Sequence, residues 1–315
     1  MMRTTVIIAA GLAFAAMLLA LPAQAQNSRS FVSSTGSDAN NCSLASPCRS
    51  FQGAYNMTNA GGEIDVLNTA GYGPLTITHA ISIVNDGGTA SVLIPSSGVG
   101  FTINAGVNDA ISLRGLTFEG AGVGSDGIQF NSGASLTVKN CVIRHVANNG
   151  IGLLSNVSSN LFVSDTLLAD NGAVGVQLSP SGSGTVTAVF NRVEANNNAA
   201  GDGILIFGGL SSGGSIIVNV AESIASGNGN GVVVNSASGQ TLAKVTLFHS
   251  VVANNTSGIE ATGTNATLTV AQSAVTGNPS GGWVITGSGT IQTYQDNYFN
   301  GNGANTGSLT NVSKQ

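Results

Sequence analysis

Charge is scarce in this sequence. Asp, Glu, Lys and Arg make up 7% of its 315 residues, against about 25% in ordinary globular domains. The charges that exist sum to −5 and gather into neither a basic stripe nor an acidic tail. That distribution excludes nucleic acid as a partner, because backbone phosphates must be met by clustered Lys and Arg. Aromatic residues are 5% of the chain and there are six prolines. Beyond residue 22 no apolar run approaches the ~20 residues that cross a bilayer, so no membrane span is expected. Long helical periodicity is missing as well. His79, His145 and His249 are too scattered to suggest a metal site.

Glycine, hydroxyls and amides stand where charge would be. Glycine accounts for 44 residues and hydrophobic residues for 42%, which is enough for a continuous core and argues against a disordered linker. The chain starts with Arg3, the apolar run "VIIAAGLAFAAMLLAL" and the small-residue site Ala23-Gln24-Ala25. This is the pattern of a cleavable export signal over residues 1–25. It predicts a secreted or periplasmic product in an oxidising compartment. Cys42 and Cys48, in "NCSLASPC", are expected to bridge there. Cys141 is left over, with no Cys-His arrangement around it, and reads as an inert thiol on a strand.

Phrases such as "NNGIGLL", "GSDGIQF" and "AGDGILI" return along the chain. Each opens an apolar run with a glycine, at Gly127, Gly150, Gly175, Gly203, Gly231, Gly258 and Gly282, in steps of 23 to 28 residues. A second column, Gly115, Asn140, Asp165, Asn191, Glu222, His249, Gln272 and Asp296, follows β-type runs such as "ISLR" and "LTVK". Two markers that drift together define a repeat. Each repeat holds three short strands and cannot bury its own apolar face, so the repeats must stack. About ten coils at ~4.8 Å each would make a rod roughly 50 Å long.

Turns and ends follow from the same pattern. The Asn and Asp residues before the glycines mark sharp turns, where Gly is expected to take positive φ. Asn148, Asn171, Asn197, Asn228, Asn255, Asn278 and Asn302 are expected to form an amide ladder. Asp165, Glu222 and Asp296 read as ladder members of the bend column. Ser50–Met57 places Phe51, Ala54 and Tyr55 at helical spacing and predicts a short cap over the first coil, "GEIDVL". The expected layout is signal 1–25, cap segment 26–61, solenoid 62–302 and polar tail 303–315.

The chain thus resembles the right-handed parallel β-helix proteins of the pectin-lyase-like superfamily. In "FVSSTGSDANNCSLASPCRSFQGAY" (Phe31–Tyr55) it is similar to secreted bacterial β-helix repeat proteins. The resemblance implies an all-β, single-stranded right-handed parallel β-helix, and the handedness comes from it alone. The superfamily holds lyases, hydrolases, epimerases and proteins with no known reaction. Its polysaccharide-cleaving members place carboxylates, and in lyases basic residues, near one exposed strand face. Their motifs are missing here: no Asp-Asp pair, no Gly-His-Gly and no Arg-x-Pro-x-x-Arg occurs.

The strand after each repeated glycine is the candidate face. If the residue after Gly points inward, Gln129, Gly152, Gln177, Leu205, Val233, Glu260 and Val284 point outward. Gln129, Gln177 and Glu260 are then the candidates for contacting carbohydrate. That row holds one carboxylate and no Lys or Arg. Loop-borne Asp126, Asp202 and Glu260 offer a rival site, with an acid and a base or nucleophile at defined separation. Glu119, one coil before Arg144-His145, gives a further catalytic candidate pair in Glu119 and His145, read first as a Glu119–Arg144 ion pair beside an exposed His.

Two other matches fail on context. Gly122–Gly127 satisfies G-x-G-x-x-G, but a strand follows where a dinucleotide site needs a helix. Ala121–Ile128 is one residue from a calcium-binding nonapeptide, without the tandem copies that surround an ion. No cofactor is therefore expected, and no motif supports Ca²⁺. The residues favour an exported, non-catalytic rod presenting a polar surface to a cell-envelope or extracellular polysaccharide. A polysaccharide lyase or glycoside hydrolase using the loop acids is the alternative. A second alternative is a structural protein self-associating through Leu205, Val233 and Val284.

Overall fold

Short β-type runs separated by single-residue bends leave the backbone few ways to satisfy its hydrogen bonds. The computed structural model describes residues 26–198 and 201–314, and the export segment expected at 1–25 lies outside the described residues. One repeat reads Ser135–Lys139, a bend at Asn140, Val142–Arg144, a loop, and Ile151–Leu153. These three strands are the walls of a parallel β-solenoid. In the third wall nine strands stack in chain order, from Leu75–Ile77 to Gly281–Thr286. In the first wall the pairing runs from Asn27–Val32 to Thr310–Asn311.

Register builds the core. Leu136 and Val138 lie between Ile111 and Leu113 of the preceding coil and Leu161 and Val163 of the next. All six are buried, because alternate strand residues point inward. The third wall answers with Ile128, Phe130, Ile151, Leu153, Val176 and Leu178. Each such side chain contributes about 1.5–3 kcal/mol on burial.

Both ends are covered. The helix Phe51–Met57, capped by Ser50 accepting from the Gly53 N–H, buries Phe51, Ala54 and Tyr55. Phe51 packs on Tyr72 and Phe101, with ring centroids 5.3 and 5.6 Å apart. The Cys42–Cys48 disulfide closes the loop before that helix. At the other end the polar tail folds back. Asn305 Oδ1 accepts from the Gly282 and Trp283 N–H groups, and Trp283 Nε1 donates to the Gly307 carbonyl.

Three turn-level expectations need correction. The repeated glycines do not take positive φ; none from Gly127 to Gly282 in that column does. They are glycine because coils approach closely there. A Cβ on Gly127, Gly150, Gly175, Gly203 or Gly231 would stand 2.5–2.8 Å from the carbonyl oxygen of the next glycine in the column. Positive φ belongs to the bend column instead. There Arg192 and Gln295, rather than Asn191 and Asp296, adopt it.

The amide ladder is also shifted. It runs Asn171, Asn198, Asn228, Asn255, Asn278, Asn302, and its Oδ1 atoms accept backbone N–H groups one coil earlier. Asn197 is a bend with φ 57°. Asn148 is exposed, and Val146 takes its place by donating to Asn171 Oδ1.

Candidate functional site

On the outer side of the first wall, residues skipped by the core alternation come into register. Lys139 lies beside Arg114, and Thr137, Ser112, Ser82 and Glu63 form the neighbouring row. The coil of Arg114 bends on Gly115 alone, whereas the coil before it turns through Asn85–Thr89. That longer connection overhangs the face and walls a groove. Asn85, Asp86, Gly87, Gly88, Arg114 and Lys139 line a recess of about 440 Å³.

Charges in the groove are mostly spoken for. Asp86 on the overhang pairs with Arg114 at 2.5 Å. Asp165 pairs with Arg192 at 2.6 Å, and that hydrogen bond holds its carboxyl below the usual range. Arg192 also reaches Glu222 at 3.7 Å, so Asp165 and Glu222 belong to an ionic ladder. Arg29 is taken by Glu63 and Asp65. Among the described residues, exposed Lys139 has no ion-pair partner. An exposed ammonium beside a row of hydroxyls can take an anionic group and the hydroxyls around it.

The residues singled out from sequence are dispersed. Gln129, Gly152, Gln177, Leu205, Val233, Glu260 and Val284 do form one register row on the third wall. That row is not an exposed apolar patch, because Val233 is only 5% exposed. Gln177 donates to Ser179 Oγ and Glu260 accepts from Thr262 Oγ1. Asp126 accepts from Ser125 Oγ and the Asn149 N–H. It lies three coils, ~14 Å, from Asp202. Burial pushes the Asp202 carboxyl up against the lowering bond from Asn230, and the charge of Glu260 adds to the rise.

Glu119, Arg144 and His145 do meet. Arg144 Nε lies 2.8 Å from Glu119 Oε2, and His145 Nδ1 lies 2.9 Å from Oε1. Burial raises the Glu119 carboxyl, but the Ala121 N–H, His145 and Arg144 outweigh it and hold it below the usual range. Among the described residues, no group of three or more His, Cys, Asp and Glu could hold a metal ion. No helix there is long and apolar enough to cross a membrane.

Sequence reading missed Arg114 and Lys139. The signal was available: "ISLR" and "LTVK" both end in a cation one residue before the bend.

Cys141 occupies a hydroxyl column. Ser223, Ser250 and Ser273 each donate to the carbonyl two residues earlier, and Cys141 Sγ does the same to Lys139 O at 3.3 Å. Burial pushes its thiol up to about 11. Cys141→Ser is expected to change stability by less than about 1 kcal/mol in urea titration. The wild-type thiol should resist a disulfide reagent until the chain unfolds. Rapid labelling of the folded protein would refute the structural role.

Residues 79–275 match the family described as "Right handed beta helix region". No curated protein matches the chain. Among solved structures, the pectate lyase Pel9A superposes with a TM-score of 0.64 at 16% identity, covering 93% of this chain and 78% of that one. ORF18 of Geobacillus virus E2 gives 0.50 at 13% identity, covering 82% and 55%. The A-module of the Azotobacter vinelandii mannuronan C-5 epimerase AlgE4 gives 0.41 at 13%, covering 81% and 91%. For the first two, at these identities, the likeness is one of fold.

Proposed function

The chain belongs to the right-handed β-helix family, and from that premise we propose that it is an exported, non-catalytic protein whose Arg114–Lys139 groove binds a carboxylate-bearing polysaccharide. The observation that carries this reading is Lys139, an exposed ammonium without an ion-pair partner among the described residues, in register with Arg114 and beside a hydroxyl row. A neighbour of the same fold is named a pectate lyase, which favours a polysaccharide as the occupant. The Cys42–Cys48 bridge suits an oxidising compartment, in keeping with the export signal expected at 1–25. The non-catalytic part rests on Asp86 and Asp165, each already paired with an arginine.

Lys139→Gln keeps the side chain's reach and removes its charge. It is expected to weaken binding of polygalacturonate oligomers about two- to fivefold, the size of one solvent-exposed charge contact. Wild-type binding should fall as salt passes ~0.1 M, where the screening length is about 10 Å. Calorimetry at two salt concentrations checks both. Equal affinity of variant and wild type would reject the groove. Ultraviolet absorbance of an unsaturated uronate during incubation would replace binding with cleavage.

A further inference from the structure

Near the other end of the first wall, the outward row reads Ala221, Phe248, Ala271 in register. Alanine on both sides leaves the Phe248 ring unshielded by either neighbouring coil, and Phe248 is 39% exposed. His249 stacks on it with centroids 3.9 Å apart. Tyr294 follows Thr293, the partner of Val270. Phe248 and Tyr294 therefore stand two coils, ~10 Å, apart over an alanine floor. Gln272 and Gln292 add amides, and Asp296 with Lys314, paired at 2.9 Å, closes the side. The cleft holds about 670 Å³.

We infer that this cleft is a second sugar site, taking a short chain of neutral pyranose rings. The face of Phe248 that His249 leaves free and the Tyr294 ring, two coils apart, meet the C–H faces of different sugars of that chain, and the amides of Gln272 and Gln292 meet its hydroxyls. Asp296 and Lys314 cancel, so nothing there favours a carboxylate. The Arg114–Lys139 groove lies four to five coils, ~19–24 Å, away along the same wall. The inference goes beyond the acidic-glycan reading, and the two fail separately.

The test titrates the full chain with cellotetraose, mannotetraose and maltotetraose, following heat and tyrosine fluorescence. Wild type is expected to bind at least one of them. Phe248→Ala and Tyr294→Ala should each weaken that binding at least tenfold, and Lys139→Gln should leave it unchanged. Should Phe248→Ala fail to fold by circular dichroism, Tyr294→Ala decides alone. No heat with any of the three at millimolar sugar overturns the site, as does tight binding by the folded aromatic variants. Loss of polygalacturonate binding in Lys139→Gln alone bears only on the other groove.

Discussion

Replacing Asn255 with leucine is expected to remove about 3–6 kcal/mol of stability, read as a lower urea midpoint. Asn255 is 1% exposed. Its Oδ1 accepts from both the Asn228 N–H and Asn228 Nδ2 at 3.0 Å, and its Nδ2 donates to the Ala225 carbonyl and to Asn278 Oδ1. Leucine has a similar volume but would leave the Asn228 N–H buried without its partner. It would also remove one bond each from the Ala225 carbonyl, from Asn228 Nδ2, which keeps the Ala195 carbonyl, and from Asn278 Oδ1, which keeps the Asn255 N–H. The orphaned N–H costs about 1–3 kcal/mol and each lost bond about 0.5–1.5 kcal/mol. Coils touch only their neighbours, so the loss should appear first as faster amide exchange at Asn228. Asn148→Ala is the control. It lies on an exposed loop with one side-chain bond, to Ser125 Oγ, and should shift stability by no more than about 0.5 kcal/mol. Similar midpoints for both variants would mean that the buried column contributes no more than a surface loop.

Gly150→Val is expected to cost at least as much, about 3 kcal/mol or more, and to reduce recovery of folded protein. A Cβ there would sit 2.6 Å from the Gly175 carbonyl oxygen and 3.0 Å from Leu168 Cδ2. Overpacking of this kind typically costs 1–3 kcal/mol, and here the obstacle is backbone, which cannot rotate aside. Gly122→Ala separates crowding from conformation. Gly122 has φ 75° and open space around it, so alanine there should cost only about 1 kcal/mol of left-handed strain. A reversed order of the two midpoints, measured by thermal melting, would restore backbone conformation as the reason for the glycine column.

The solenoid was legible because two columns drift together, and because Leu136/Val138-type alternation repeats from coil to coil. The Cys42–Cys48 bridge and the Ser50-capped helix were legible from local spacing. The ladder was misread by one residue at Asn197, since loop length there blurs which Asn turns inward. Phase at Asn191 and Asp296 slipped for the same reason. The groove was harder to foresee. It depends on Asn85–Thr89 overhanging a neighbouring coil, and on which cations are already paired, and both are facts of register between distant residues.

The amide column also has a sense of direction. Along the run from Asn198 to Asn302, each Oδ1 faces the coil before it, and from Asn198 to Asn278 each Nδ2 donates to the Oδ1 of the coil after while also donating to a carbonyl of the coil before. The small dipoles therefore add, with the partially positive end toward the C-terminus. One amide turned over would set oxygen against oxygen on one side and nitrogen against nitrogen on the other. Orientation is thus settled collectively. Excising one whole rung would preserve this internal polarity, whereas no single side chain can invert alone.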